Sequence, residues 1–347
     1  MKSVIILFLI FILPFSIMGQ SQLIIQVKQG SLWGYIDIEG NVIQSAKFKH
    51  CEEFSKDGFA PVYLEATKKW AFIRPNGVLL NLSPDLEFKT SMGFNVEGFH
   101  GGMLAVKRNK LWGFVDTNGQ IVIEPQYDGV SRFNDGYGWG ERNGKFYILD
   151  ETGNEAELSI EGVDELRNFS EGLIPFRLAG NNFGFLNTGG EVVIEAQFLT
   201  VGYFNDGIAW ARDANKKLGF IDKEGKWIID PQFDFAVDFD PGSELARVKV
   251  DDLWSYVTKD GESVVISDTE LWEDFKEGLA MGRKGKMYGF FDKQGNWIIS
   301  PQFEGVRGFQ NGYAAAKLSK KWGIIDKSGE WVINPVYDGI KDVEVIR

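Results

Sequence analysis

The chain has 347 residues, a formal net charge of −12, one cysteine and two histidines. The acidic balance excludes a general nucleic-acid binder, which needs clustered Lys and Arg to neutralise phosphates. Lone Cys51 excludes an internal disulfide, and His50 and His100, without ligand-like spacing, support neither a catalytic triad nor a zinc site.

In chain order, "MKSVIILFLIFILPFSIMG" comes first: Lys2, an apolar run from Val4 to Ile17, then small residues at Ser16 and Gly19. The run is short for a membrane span, so residues 1–19 read as a signal peptide that exports residues 20–347 to periplasm, cell surface or medium. An uncleaved anchor is the alternative. No Cys follows the run, which argues against a lipid anchor, and no later segment is apolar enough to span a bilayer. Cys51 reads as a buried small residue.

From there to the end one phrase recurs. Its first position is Trp33, Trp70, Trp112, Phe146, Phe183, Leu218, Trp254, Tyr288 and Trp322, a period near 36 residues. Nine units at such a period mean a repeat array in a single domain, 20–347. The second unit carries an extension, 81–98. No stretch has sustained helical periodicity; "EGVDELRNF" (161–169) is the best helical candidate. The eighth unit, 277–309, parses most clearly. "LAMGR", "MYGFFD" and "NWIIS" are strands, and "KGK" and "KQG" are turns. Pro301 ends the ladder, and "QFEGVRGF" is an irregular or edge segment. The fold class is therefore all-β, with three or four antiparallel strands per unit. Because the first and last units are as regular as the middle ones, a propeller-like ring is favoured over an open β-solenoid.

In "WGFID" both alternating faces are apolar, so each sheet must stack on its neighbours. The glycine is expected to admit a close neighbour, making Trp-Gly an inter-repeat packing device; Gly113→Val should collide with the adjoining unit. The Asp that ends the phrase (Asp37, Asp116, Asp150, Asp222, Asp292, Asp326) precedes an "xxG" turn and is expected to close it, since single carboxylates a whole repeat apart cannot converge on calcium. A basic position ends the "GLAxV" strand at Lys28, Lys107, Arg177, Arg212, Lys249, Arg283 and Lys317, with Tyr63 and Glu141 as exceptions. It reads as a ladder pairing with carboxylates of the next unit, or as a basic rim for an anionic polymer.

These phrases resemble the bacterial WG-repeat (KWG-repeat) family, over about residues 22–347. Trp33-Gly34, Trp112-Gly113 and Trp322-Gly323 carry the full pair; Gly184, Gly219 and Gly289 keep the glycine; Trp70 and Trp254 keep the tryptophan; "KFYILDETG" keeps neither. The resemblance implies an exported or modular β-repeat array with no catalytic activity, and it transfers no site residues.

One feature suggests a ligand surface. Trp139 and Trp210 replace the small residues of other units, near Arg142 and Arg212, a combination suited to sugars or a peptide; the alternative is extra packing. The sequence thus points to an exported, non-catalytic scaffold for a protein or glycan, with no cofactor, no metal and no nucleic acid. A glycoside-active enzyme on a propeller and a purely structural envelope component are the alternatives, since carboxylates are plentiful.

Overall fold

The computed structural model describes residues 21–91, 95–180, 182–270 and 273–346. The predicted signal peptide lies outside them. Among the described residues every helix or strand element is a strand. They form eight four-stranded antiparallel sheets, a ninth unit, Ala60–Leu64 with Lys69–Ile73, flanked by single bridges from Cys51 to Val62 and from Ile73 to Leu79, and a small two-stranded sheet, Thr90–Ser91 with Asn95–Val96. These nine blades are the nine repeats.

Blade 9 shows the pattern: a short first strand, Gly305–Val306, then Tyr313–Leu318, Lys321–Asp326 and Trp331–Tyr337. The short strand belongs to the unit that follows it in sequence. After Phe303 the chain turns, the Glu304 N–H bonds the Lys317 carbonyl, and Gly305 and Val306 pair with Lys317 and Ala316. The segment read as trailing unit eight therefore opens unit nine.

That phase closes the molecule. The last unit's trailing segment, Gly339–Ile346, pairs antiparallel with Gln22–Gln29 and becomes the first strand of blade 1. The hydrophobic interior agrees. Nine clusters each straddle two successive blades. One of them joins Ala315, Ile324 and Ile333 of blade 9 to Ile25, Val27 and Ile36 of blade 1. The chain is a ring with nine interfaces and no end.

Four expectations change. Pro301 does not end the ladder: the strand Trp297–Phe303 runs through it and Phe303 pairs with Tyr288. Residues 161–169 are not helical: Val163–Leu166 is the first strand of blade 5, and a register shift between Val163 and Glu165 gives Val163 and Leu166 their helix-like spacing. The motif glycine answers to its own blade, not to the next. A Cβ on Gly113 would overlap the Ile123 carbonyl oxygen and lie 2.6 Å from the Pro125 nitrogen. The cause is a bulge: Trp112 pairs with Tyr127 but Phe114 with Ile123, so the fourth strand folds inward over the glycine. The same register shift accompanies Gly34, Gly184, Gly219, Gly289 and Gly323.

The basic position is also explained within the blade. Each cation stands directly across from the first residue of the motif, an aromatic ring in every case but Arg212, which faces Leu218. Lys107 Nζ lies 4.9 Å from the Trp112 ring centroid, and Lys28, Lys249 and Lys317 lie 5.5–5.7 Å from Trp33, Trp254 and Trp322. These four are cross-strand cation–π pairs, and Arg177 and Arg283 pair with Asp164 (2.8 Å) and Glu270 (3.8 Å) of their own blades, so the position is not a ladder to the next unit's carboxylates. The turn aspartates behave as expected. Asp326 Oδ1 accepts the N–H groups of Ser328 (2.9 Å) and Glu330 (3.1 Å), and Asn187 substitutes in blade 5 with bonds from Gly189 and Glu191.

Candidate functional site

A buried phenylalanine recurs near the start of blades 2 to 9, after the first strand or bridge except in blade 8, where Phe275 lies within that strand: Phe54, Phe99, Phe133, Phe169, Phe204, Phe239, Phe275 and Phe309, none more than 5 % exposed. Val343 takes the place in blade 1. Each anchors the chain in an interblade core and leaves its flanking residues nearest the ring axis. The residue just after the anchor ties blade to blade: Asn134 Nδ2 donates to the Phe169 carbonyl (3.2 Å), Ser170 Oγ to Phe204 (2.7 Å) and Asn205 Nδ2 to Phe239 (3.2 Å).

These segments converge. A cavity of about 670 Å³ is lined by residues 52–57 of blade 2, 95–101 of blade 3, Arg132 and Asn134 of blade 4, and Glu344 of the closing strand. Four successive blades can share one cavity only beside the axis. While the framework repeats, the residue before each anchor does not: Glu53, Gly98, Arg132, Asn168, Tyr203, Asp238, Asp274, Gly308 and, before Val343, Asp342. The scaffold holds this position in place and leaves its chemistry free.

The electrostatics are distinctive. Burial pushes the Glu52 carboxyl above its usual range, with Glu53 adding to the effect and Lys341 partly offsetting it. Burial likewise raises Glu344, again helped by Glu53, although Gln310 donates to it (3.0 Å). Burial lowers His100, and Arg132 lowers it further, which favours the neutral imidazole. Further round the axis Asp238 is raised by burial and by Asp274. Among the described residues no group of three or more His, Cys, Asp or Glu is placed to hold a metal ion.

None of the four residues singled out from the sequence lines this cavity. Trp139 is half-buried between blades 4 and 5; its indole N–H donates to the Arg167 carbonyl (2.7 Å) and its ring meets Phe146 edge-on. Trp210 packs on the cluster joining blades 6 and 7. Trp139 and Arg142, three residues apart on one strand, point to opposite faces, whereas Trp210 and Arg212 share one. Arg142 lies over Tyr127 and Tyr147 and pairs with Glu155 (2.7 Å). Cys51 is buried, accepts from Gln26 Nε2 (3.1 Å), and burial pushes its thiol up to about 11. The signal for the axial residues was in the sequence: variable, often charged positions at fixed spacing before a repeated Phe.

Fold and site together define a closed, nine-bladed β-ring of the propeller class. The family described as WG containing repeat matches residues 33–70, 112–146, 183–216, 219–254, 288–322 and 322–344, more than half of the chain. The protein belongs to this family. Each matched segment begins at a unit that carries the motif glycine. No curated protein matches the sequence. Among solved structures, the crystal structure of the eukaryotic initiation factor is 10 % identical, with 94 % of this chain and 98 % of that one covered at a TM-score of 0.57. Apo AztD from Citrobacter koseri (12 % identical, 94 % and 98 % covered, TM-score 0.39) and BamB from Moraxella catarrhalis (14 %, 75 % and 97 %, 0.40) also match. At these identities the likeness concerns the fold alone, and it rests on the first.

Proposed function

We propose that the protein is an exported, non-catalytic scaffold that binds a protein or glycan through its axial mouth. One observation carries this reading: four blades of a repeating framework present non-repeating, partly charged residues to a single cavity of about 670 Å³, a size within the usual range of ligand pockets. The signal-peptide-like composition of residues 1–19 supports export. Gly98 supplies the test. It lines the cavity, its φ is ordinary, and the nearest atom to an added Cβ is Pro61 Cγ at 3.8 Å. Gly98→Trp should fill the mouth, leave the melting curve unchanged and abolish capture of a partner from envelope extract; undiminished capture overturns the assignment. N-terminal sequencing of the exported protein should start near Gln20, and a Met1 start overturns cleavage.

The raised carboxyls of Glu52 and Glu344 in one concavity favour a second reading, a glycoside-active enzyme, because a general acid needs such a shift. Glycoside turnover lost in Glu52→Gln would establish it in place of the scaffold.

A further inference from the structure

We propose that the wall formed by Glu52, Glu53 and Glu344 receives the cationic side chains of a Lys- or Arg-bearing peptide segment of a partner protein. This rests on the axial-mouth reading and names the chemistry it selects.

Ring closure alone brings these three carboxylates together, since Glu344 belongs to the closing strand and the other two to the entry into blade 2. Among the described residues none of the three has an ion-pair partner within 4.0 Å. Other acids of the region are engaged. Asp57 accepts the Gly102 N–H (2.9 Å), Glu97 meets Lys89 (3.7 Å), Asp274 meets Arg247 (2.7 Å), and Asp342 meets Arg307 (3.7 Å). In the same lining Ser55 Oγ is buried and has no hydrogen-bond partner among the described residues.

Half-buried like charges left together oppose folding, and a ligand of opposite sign relieves the repulsion. The lining's own cations, Lys56 and Arg132, are exposed to water and correspondingly screened, and half-buried Lys341 offsets Glu52 only in part and forms no ion pair with it within 4.0 Å. The carboxylates do not converge tightly enough to hold a metal ion. They feel one another's charge without meeting at a point, which suits separate charges carried on a chain. The net charge of −12 would speed the encounter with a basic segment.

The test is fluorescence anisotropy of a labelled alternating Lys-Gly peptide with the purified protein, against the same peptide acetylated on its lysines and against spermine as competitor. The Lys peptide should bind and weaken as salt rises, and the acetylated peptide should not bind. Glu53→Gln should weaken binding about tenfold, the scale of one lost charge contact. Glu124→Gln, an exposed carboxylate on the outer strand of blade 3, should leave it unchanged. Thermal melts give a second, opposite readout: Glu53→Gln should raise the melting temperature of the free protein by removing repulsion. Equal binding of the acetylated peptide, full affinity in Glu53→Gln, or a lowered melting temperature in that variant would each overturn the inference. Spermine binding more tightly than the peptide would also overturn it, assigning the wall to a free polyamine. Should neutral or acidic partners be captured, and lost in Gly98→Trp, the axial mouth would stand while its cationic selectivity fell.

Discussion

Blades 3 and 4 are neighbours that make opposite choices at one cross-strand pair. In blade 3 Val106 faces Gly113; in blade 4 Gly140 faces Tyr147. The bulk sits on the second strand in one and on the third in the other. With glycine on the third strand, the fourth strand can bulge inward and run seven residues, Ile121–Tyr127. With Tyr147 there, the fourth strand is three exposed residues, Glu155–Glu157, in plain register. Gly140 is in turn required because a Cβ would strike the Tyr127 ring. Arg142, lying over both tyrosines and paired with Glu155, braces the side that lacks the bulge. The motif glycine therefore makes room for a long, folded-in outer strand, and a blade without it needs another brace.

The sharpest way to break this comparison is Gly113→Val. It should cost about 3–5 kcal/mol in denaturant melts, because the obstacle is backbone of the same blade and cannot step aside. Ser255→Val, at the matching position of blade 7 where Val248 is the partner and no bulge follows, should cost less than about 1 kcal/mol. Equal losses would show that the glycine has nothing to do with the outer strand.

Next in size is Trp139→Ala, which sharpens the account of blade 4. Loss of a half-buried ring and of its bond to the Arg167 carbonyl should cost about 3 kcal/mol. A melting curve that does not move would return Trp139 to the surface, as a ligand platform. Smaller again is Lys107→Gln, which removes the cation above Trp112 and should cost about 0.5–1 kcal/mol; a stability independent of this residue would leave the basic position unexplained.

The smallest effect is set by pH at a turn found in both kinds of blade. The Ser328 hydroxyl, and then the N–H groups of Glu330, Ser328 and Gly329, hold Asp326 below its ordinary 3.8. A depressed carboxyl gives stability that is complete above the unfolded-state value and lost as pH falls through the folded one. The gain is modest, since the group is largely solvated. Urea melts between about pH 5 and 2 should fall more steeply for wild type than for Asp326→Asn; parallel curves would mean the turn gains nothing from the charge.

Much of this was legible from residues. The nine units, the all-β class, the stacked two-faced sheets and the turn-closing aspartates follow from spacing and alternation alone. Three things were not. The blade phase was hidden because "GV" carries too few side chains to reveal its partner, yet that phase decides how the ring closes. The bulge was hidden because a Pro within "IEPQY" marks an edge strand without saying where its backbone goes. The axial cavity was hidden because its lining residues come from four units and share nothing but a position. Trp139 and Trp210 drew the eye as departures from the pattern, but departures inside an interblade core reflect packing as readily as recognition.

The closing strand has a consequence for how the protein is made. Gly30 donates to Asp338, 308 residues away, and the first blade lacks a strand until the last repeat has arrived. Blades 2 to 9 can assemble from neighbouring stretches as they emerge, whereas Gln22–Gln29 must wait with one edge unpaired. Joining the ends late should be the slow step of refolding, and the interval before it is when the chain is most open to pairing with a second copy of itself.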